Sequence, residues 1–251
     1  MAERLPGHSD RVKDLFDAKA SSWSAKYAPS GRLTGRLSRI HAVLGDYVHP
    51  GSSVLDLGCG TGDIARAVAS AEMQVTGCDI SREMLRCALR EDVESEIKWL
   101  QLDTNWRKLP FGASGFDAII AVSVFEYVEN PAAVICECAR VLKPGGVLLC
   151  TVPDVTHPVR WIEWAAGLPL AALRAADVAR PWPRLDNYLM YLRTSRHRHF
   201  AGWWSRAAVR NGLERVPNPR SAGEKAPLRL LVFQRPSGNG IDGCRVSIPP
   251  S

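Results

Sequence analysis

The 251-residue chain has no run approaching the roughly 18 consecutive apolar residues that a membrane-spanning helix needs. Its first residues, Met1-Ala2-Glu3-Arg4-Leu5-Pro6-Gly7, lack the apolar core of a secretion signal, so a cytoplasmic protein without a membrane span is expected. The seven cysteines are odd in number and mostly sit inside apolar segments, which excludes a disulfide framework and suits a reducing compartment. Cys136 and Cys138 form a C-x-C pair, but residues 132 to 142 read as a helix, on which positions two apart diverge, so no metal site is expected. A formal net charge of +6 is modest for a nucleic-acid binder, and no recognisable RNA-binding domain is appended. What is left, with 46% hydrophobic and 23% charged residues, is an ordinary globular composition in a chain long enough for one substantial core.

Against these absences one stretch stands out. Val54-Leu55-Asp56-Leu57 is a short apolar strand that runs into Gly58-Cys59-Gly60-Thr61-Gly62-Asp63, where alternating glycines permit close backbone approach and positive φ. A helix beginning near Asp63 presents free N–H groups to the same turn. A second strand, Gln74-Val75-Thr76-Gly77-Cys78, ends in Asp79, a carboxylate placed to accept the two hydroxyls of a ribose. The competing reading is a dinucleotide turn of pattern G-x-G-x-x-G in a nicotinamide-dependent oxidoreductase. That turn needs a third glycine where this chain has Asp63.

The G-x-G-x-G spacing, preceded by Asp56, resembles the first motif of the class I S-adenosylmethionine-dependent methyltransferases. Four more segments follow in that family's order: Asp79-Ile80-Ser81 with Met84; Leu100-Gln101-Leu102-Asp103-Thr104; Leu109-Pro110-Phe111 leading to Phe116 through Val122; and Val141-Leu142-Lys143-Pro144-Gly145-Gly146 leading to Val147 through Thr151. The resemblance implies an α/β fold, Rossmann-like and doubly wound. Its mostly parallel seven-stranded sheet carries an N-terminal helical lid and a helical cap inserted after the fifth strand. It also implies S-adenosyl-L-methionine as cofactor. Asp56 anchors the glycine loop near the methionine ammonium, and Gly58, Cys59, Gly60 and Gly62 form the loop. Asp79 meets the ribose, with Ile80 and Met84 near adenine. Asp103 and Thr104 contact adenine, although Asp103 also reads as a helix cap. Ser123, past the fourth strand, faces the methionine portion or the transfer site.

The expected organisation is a lid over 1–48, a cofactor-binding core over 49–152 and a substrate cap over 153–205. The sheet then resumes over 206–235, near 213–216 and 228–234, and the tail over 236–251 is disordered or swapped onto a neighbour. In the lid, residues 9 to 47 look helical, with a second helix over 30–47. Val12, Leu15, Phe16, Ala20 and Trp23 recur at helical spacing. Phe16-Asp17, Ala20 and Tyr27 resemble the pattern with which family members cover the cofactor, and Tyr27 is a candidate acceptor contact. Packing on the flank of the sheet would explain the same residues.

Between Val155 and Arg220 there is no lysine, yet there are eleven arginines against Glu163, Asp177, Asp186 and Glu214. Guanidinium groups suit bidentate binding of an anion, and equally a solvated helix face. Arg196-His197-Arg198-His199 is the densest cluster, and Arg196, His197 and Arg198 are candidate acceptor contacts. For a general base the candidates are His157 after the fifth strand, Glu126 and Tyr127 after the fourth, and His41 in the lid. Many family members have Glu-His where this chain has Glu126-Tyr127. The Asn/Asp-Pro-Pro-aromatic motif of enzymes that methylate adenine or glutamine amines is absent, with Ser123-Val124-Phe125-Glu126 in its place. The function expected is methyl transfer to an oxygen or nitrogen of a small-molecule acceptor, anionic or aromatic, in biosynthesis, by a monomer or homodimer. The alternatives are an RNA methyltransferase and a non-catalytic methyltransferase-like binding module.

Overall fold

Val54 through Leu57 are all buried, a pattern a strand adopts only when both faces of its sheet are covered. The computed structural model describes residues 7–31, 33–93, 96–161, 190–217 and 227–238. In it this segment is β1 (Ser53–Leu57), near the middle of a seven-stranded sheet. The others are β2 (Gln74–Asp79), β3 (Lys98–Gln101), β4 (Phe116–Ala121), β5 (Leu142–Pro153), β6 (Glu214–Val216) and β7 (Leu228–Gln234). Their order across the sheet is β3-β2-β1-β4-β5-β7-β6. The first five strands run parallel and β7 pairs antiparallel with both β5 and β6.

Alternation of side chains divides the core in two. Leu55, Ile119, Leu148 and Leu231 face one layer, against α5 (Pro131–Val141) and α6 (Ala201–Arg210), where Trp204 and Phe125 lie 5.9 Å apart. Their neighbours Val54, Ile120, Leu149 and Val232 face the other, against α2 (Thr34–Leu44) and α3 (Asp63–Ala69). The chain builds outward from β1 through β2 to β3, then returns to lay β4 on β1's other side. That reversal opens a crevice at the carboxyl ends of β1 and β4, the place where such sheets bind ligands.

Glycine is required at two points of the turn after β1. Gly58 has φ +71°, and a Cβ there would sit 2.5 Å from Val124 Cγ2. Gly62, the residue before α3, has φ +79°, and its Cβ would sit 2.5 Å from Trp99 Cη2. Trp99 cannot easily yield, since its indole N–H donates to Asp92 Oδ2 at 2.7 Å. The next helix, α4 (Arg82–Glu91), starts on Ser81, whose Oγ accepts the Met84 N–H at 3.1 Å.

The N-terminal segment departs from a continuous helical run. α1 (His8–Asp17) and α2 are separated by two single 3₁₀ turns, Ala20–Ser22 and Ser24–Lys26, and α2 is shorter than 30–47. The break lets Trp23 turn inward against Phe16, ring centroids 5.6 Å apart, rather than continue a surface helix. Most of the expected cap and tail, residues 162–189 and 239–251, lie outside the described residues. Among the described cysteines five are free thiols and Cys136 is disulfide-bonded, a departure from the all-thiol expectation. Among the described residues no helix is long and apolar enough to cross a membrane, and no cluster of residues that could hold a metal ion is formed.

Candidate functional site

The crevice is a cavity of about 2260 Å³, open to solvent and walled by the glycine loop, the tips of β2 and β4, the N-terminal segment and the turn after β5. At the loop end, Asp79 accepts the Gly60 N–H on Oδ2 at 2.9 Å and the Ser81 N–H on Oδ1 at 2.8 Å. One carboxylate therefore fixes the loop and the start of α4 together. Asp56 lies behind the loop, 1% exposed, accepting from the Ala65 N–H of α3's first turn, while its Oδ2 has no hydrogen-bond partner. Cys59, Gly60, Ile80 and Met84 line this end, and the Cβ direction of Gly60, at φ +55°, meets Trp23 and Met84 at 3.6–3.9 Å, ordinary contact distance.

The N-terminal segment closes over this end through polar contacts on three elements. The Asp17 carboxylate accepts from Ser81 Oγ and from the Glu83 N–H, capping α4 from outside. Ser24 Oγ donates to Asp63 and Glu91, and Thr104 Oγ1 donates to Asp10 at 3.0 Å. Thr104 thus lines the cavity, whereas Asp103 is exposed and uses Oδ1 to accept the Asn105 N–H at 2.8 Å, a turn of the capping kind. Ser123 lines the cavity with φ +57°, held in that strained conformation by its N–H donating to Thr151 Oγ1 at 2.8 Å. Gly62 is not part of the wall; it acts through the start of α3.

Glu126, Tyr127, Arg160 and Tyr191 also line the cavity, and so do Tyr27, which is within reach of the charges of Asp56 and Asp63, and Arg36. Glu126 is 2% exposed, and its Oε2 has no hydrogen-bond partner. Tyr127 packs edge-on against Phe16 at 5.1 Å and lies 6.5 Å from Tyr191. Arg160 donates to the Tyr191 hydroxyl and to the Pro227 carbonyl, each at 3.0 Å. Arg36 is hydrogen-bonded to the Tyr27 side chain.

Other candidates fall elsewhere. His157 is a turn residue whose Nδ1 accepts the Val159 N–H at 3.3 Å, and it does not reach the cavity; its neighbour Arg160, one turn on, does. His41 lies on the exposed face of α2. Arg196, His197 and Arg198 are also off the wall. The N–H groups of Arg196 and His197 donate to the Glu126 carbonyl at 2.9 and 3.4 Å, the His197 ring bonds the backbone at Val128 and Glu129, and His199 stacks on Trp203 at 4.0 Å. The cluster buttresses the segment after β4 from behind. Arg36 and Tyr191 were not legible as lining residues, and Trp23 was read only as one of the helically spaced residues of the lid. Arg36 follows a glycine in an otherwise unremarkable helix, and Tyr191 lies deep in the insertion.

Burial pushes the acids of this site up: Asp56 to about 7, with Asp79 adding to the effect; Asp79 to about 6, against the opposing N–H groups of Ser81 and Gly60; and Glu126 to about 7, against Arg36, Arg160 and Arg198. A carboxyl raised in the folded state binds its proton more tightly there. Its stabilisation is complete below about pH 4 and is lost as pH rises through about 7. His8, His197 and His199, lowered by burial, titrate with the opposite sign, so the comparison that isolates Glu126 is one between variants. Glu126→Gln is expected to match the wild-type melting temperature at or below about pH 4 and to exceed it near pH 8. Each kcal/mol is about 2–4 °C in a domain of this size. Thermal melts of both proteins at the two pH values check this.

Comparison with known proteins agrees with the geometry. The family described as Methyltransferase domain matches residues 55–150. The ubiquinone biosynthesis O-methyltransferase of Xanthomonas campestris pv. campestris is 32% identical over 180 residues, covering 68% of this chain and 69% of that one. The demethylmenaquinone methyltransferase of Tropheryma whipplei is 41% identical over 159 residues, 62% of this chain and 63% of that one. Among solved structures, magnesium protoporphyrin IX methyltransferase from Synechocystis PCC 6803 with bound SAM superposes with a TM-score of 0.64 at 16% identity. That match covers 93% of this chain and all of the other, and at this identity it speaks to the fold alone. The chain belongs to the class I S-adenosylmethionine-dependent methyltransferases, and S-adenosylmethionine is its cofactor.

Proposed function

We propose that the protein transfers the methyl group to a hydroxyl oxygen of an aromatic small molecule, with Glu126 as general base. The observation that carries this is the Glu126 carboxyl, buried in the cavity wall with Oε2 unpartnered and its pKa pushed up by burial to about 7. A base is most effective when its pKa lies near the working pH, and a phenolic hydroxyl needs one. The O-methyltransferase of ubiquinone biosynthesis among the relatives supports oxygen as the acceptor atom, and the demethylmenaquinone methyltransferase supports a quinone-like ring. Tyr27, Phe16, Tyr127 and Tyr191 offer aromatic walls for such a ring.

The residues present fit the cofactor. Gly58 and Gly60 keep side chains out of the crevice, Asp79 stands at the tip of β2 for the ribose hydroxyls, and the unpartnered Asp56 Oδ2 marks where positive charge is lacking behind the loop. In this reading Cys59, Ile80, Met84, Thr104 and Ser123 complete its pocket, and Trp23 covers it. When bound, S-adenosylmethionine supplies an electrophilic methyl group. The protein's part is to orient the acceptor, exclude water and take up the hydroxyl proton on the Glu126 carboxylate. Holding the two reactants in line is the larger share of the rate, worth effective molarities of roughly 10⁵ M or more in well-oriented systems. The test is an assay of S-adenosylmethionine with a panel of catechols, anilines and carbon nucleophiles. Turnover confined to hydroxyl acceptors supports the reading, and turnover confined to the others overturns it.

A further inference from the structure

Three non-glycine residues among those described take the left-handed conformation, Glu72, Ser114 and Ser123. Glu72 and Ser114 are exposed turn residues away from the crevice, whereas Ser123, at φ +57°, is in its wall. That conformation is disfavoured for a residue with a side chain, so surrounding structure must hold Ser123 in it. The pairing of β4 with β5 ends at Ala121 and Cys150, and the next residue of β5 is Thr151. Thr151 is 3% exposed, and its Oγ1 accepts the Ser123 N–H at 2.8 Å. A side-chain hydroxyl thus takes the place of a ladder carbonyl just where β4 leaves the sheet. The turn fixed in this way sets the three residues that follow. Val124 fills the space that Gly58 leaves, Phe125 is fully buried beside Trp204, and Glu126 enters the cavity wall. Farther along, the Arg196 N–H donates to the Glu126 carbonyl and His8 Nε2 bonds to the Tyr127 carbonyl at 2.8 Å, and neither bond touches Ser123.

We propose that Thr151 is a positioning residue for the transfer: its hydroxyl holds Ser123 in the left-handed conformation, and the turn so held aims Glu126 at the acceptor. This rests on Glu126 as the general base proposed above and deepens that reading. The charged groups that reach Glu126, Arg36, Arg160 and Arg198, all lie outside the 123–125 turn. Loosening the turn therefore moves the carboxyl relative to them and toward water, and a carboxyl relieved of burial titrates closer to its ordinary range.

The experiment compares the wild type with three variants. Thr151→Val matches threonine in shape but cannot accept the Ser123 N–H, and Thr151→Ser keeps the hydroxyl. The third adds Ser123→Gly to Thr151→Val, because glycine adopts positive φ without a partner to hold it there. Each is first checked for S-adenosylhomocysteine binding by calorimetry. The Glu126 carboxyl is then titrated by nuclear magnetic resonance in protein carrying ¹³C-labelled glutamate, its signal assigned as the one missing from Glu126→Gln, and kcat and KM are measured with catechol. Losing a hydrogen bond and leaving its donor unpaired is worth about a factor of ten, so Thr151→Val is expected to lower kcat about 10-fold. Its Glu126 midpoint is expected to fall below the wild-type value of about 7, with KM and S-adenosylhomocysteine affinity within about 3-fold of wild type. Thr151→Ser is expected to behave as the wild type, and Ser123→Gly to restore most of both kcat and the midpoint, which it would not do for a packing defect at position 151. An unchanged Glu126 titration in Thr151→Val, a loss of S-adenosylhomocysteine binding in that variant without a change in the titration, or no recovery on adding Ser123→Gly would overturn the positioning role and leave Glu126 standing as the base. The titration needs no acceptor. A wild type that binds S-adenosylhomocysteine and methylates no hydroxyl acceptor would overturn the base, and the positioning role with it.

Discussion

Asp79→Ala is expected to weaken S-adenosylhomocysteine binding by about 10²–10³-fold, the largest loss of affinity from any single substitution at the cofactor end. Two effects combine. The carboxylate in its ionised form accepts charge-assisted hydrogen bonds from a ribose, each worth about 1.5–3 kcal/mol, and alanine makes none of them. The same carboxylate pins the Gly60 and Ser81 N–H groups at 2.9 and 2.8 Å, so its removal also frees the loop that the cofactor lies against. Two such bonds at the lower part of that range give about 3–4 kcal/mol, which converts to the stated range. Calorimetric titration of wild type and variant checks this. NADH, titrated in parallel, is expected to give no binding, because Asp63 stands where a dinucleotide turn needs its third glycine.

Glu126→Gln is expected to lower kcat by about 10²–10⁴-fold, the range over which general bases act. Cofactor affinity is expected to be unaffected, since in the proposed reading Glu126 meets the acceptor and not the cofactor. The pH profile separates this from a packing defect. As a base Glu126 must be ionised, so wild-type activity is expected to fall as pH drops below about 7, where its carboxyl takes up a proton. The glutamine variant loses that limb and keeps only a low, flat rate. Glutamine has the shape of the protonated acid, so the fold is not the cause, and above pH 7 the variant escapes the cost of a buried charge. A profile with the same inflection in both proteins would assign the titration to another group.

The glycine-loop wall of the crevice was legible in the sequence and the wall around Glu126 was not, for a physical reason. Asp56, Gly58, Gly60, Gly62 and Asp79 belong to a strand–turn–helix–strand unit whose geometry is local. Gly58 and Gly62 are fixed by backbone conformation and by Val124 and Trp99 at 2.5 Å from where a Cβ would be, so their spacing alone carries the signal. The rest of the cavity wall brings Arg36, Glu126, Arg160 and Tyr191 together from four segments far apart in the chain, and no spacing announces that. Near misses make the same point. His157 and Arg160 share one turn, and which of them faces inward depends on how that turn folds back on itself at Asp154, whose Oδ1 accepts from Thr156. Arg196, His197 and Arg198 alternate like a clamp. Their backbone instead docks on the Glu126 carbonyl, which commits the segment to supporting the wall rather than forming it. Asp103 and Thr104 are adjacent, yet only Thr104 faces the cavity, because Asp103 closes its own turn on Asn105.

The most direct test of the account is to supply S-adenosylmethionine carrying a ¹³C-labelled methyl group together with catechol, and to locate the label in the product by nuclear magnetic resonance. The account predicts a methyl ether, formed by the wild type and lost in Glu126→Gln. Label on a ring carbon, or a methyl ether formed as fast by the glutamine variant, would contradict it.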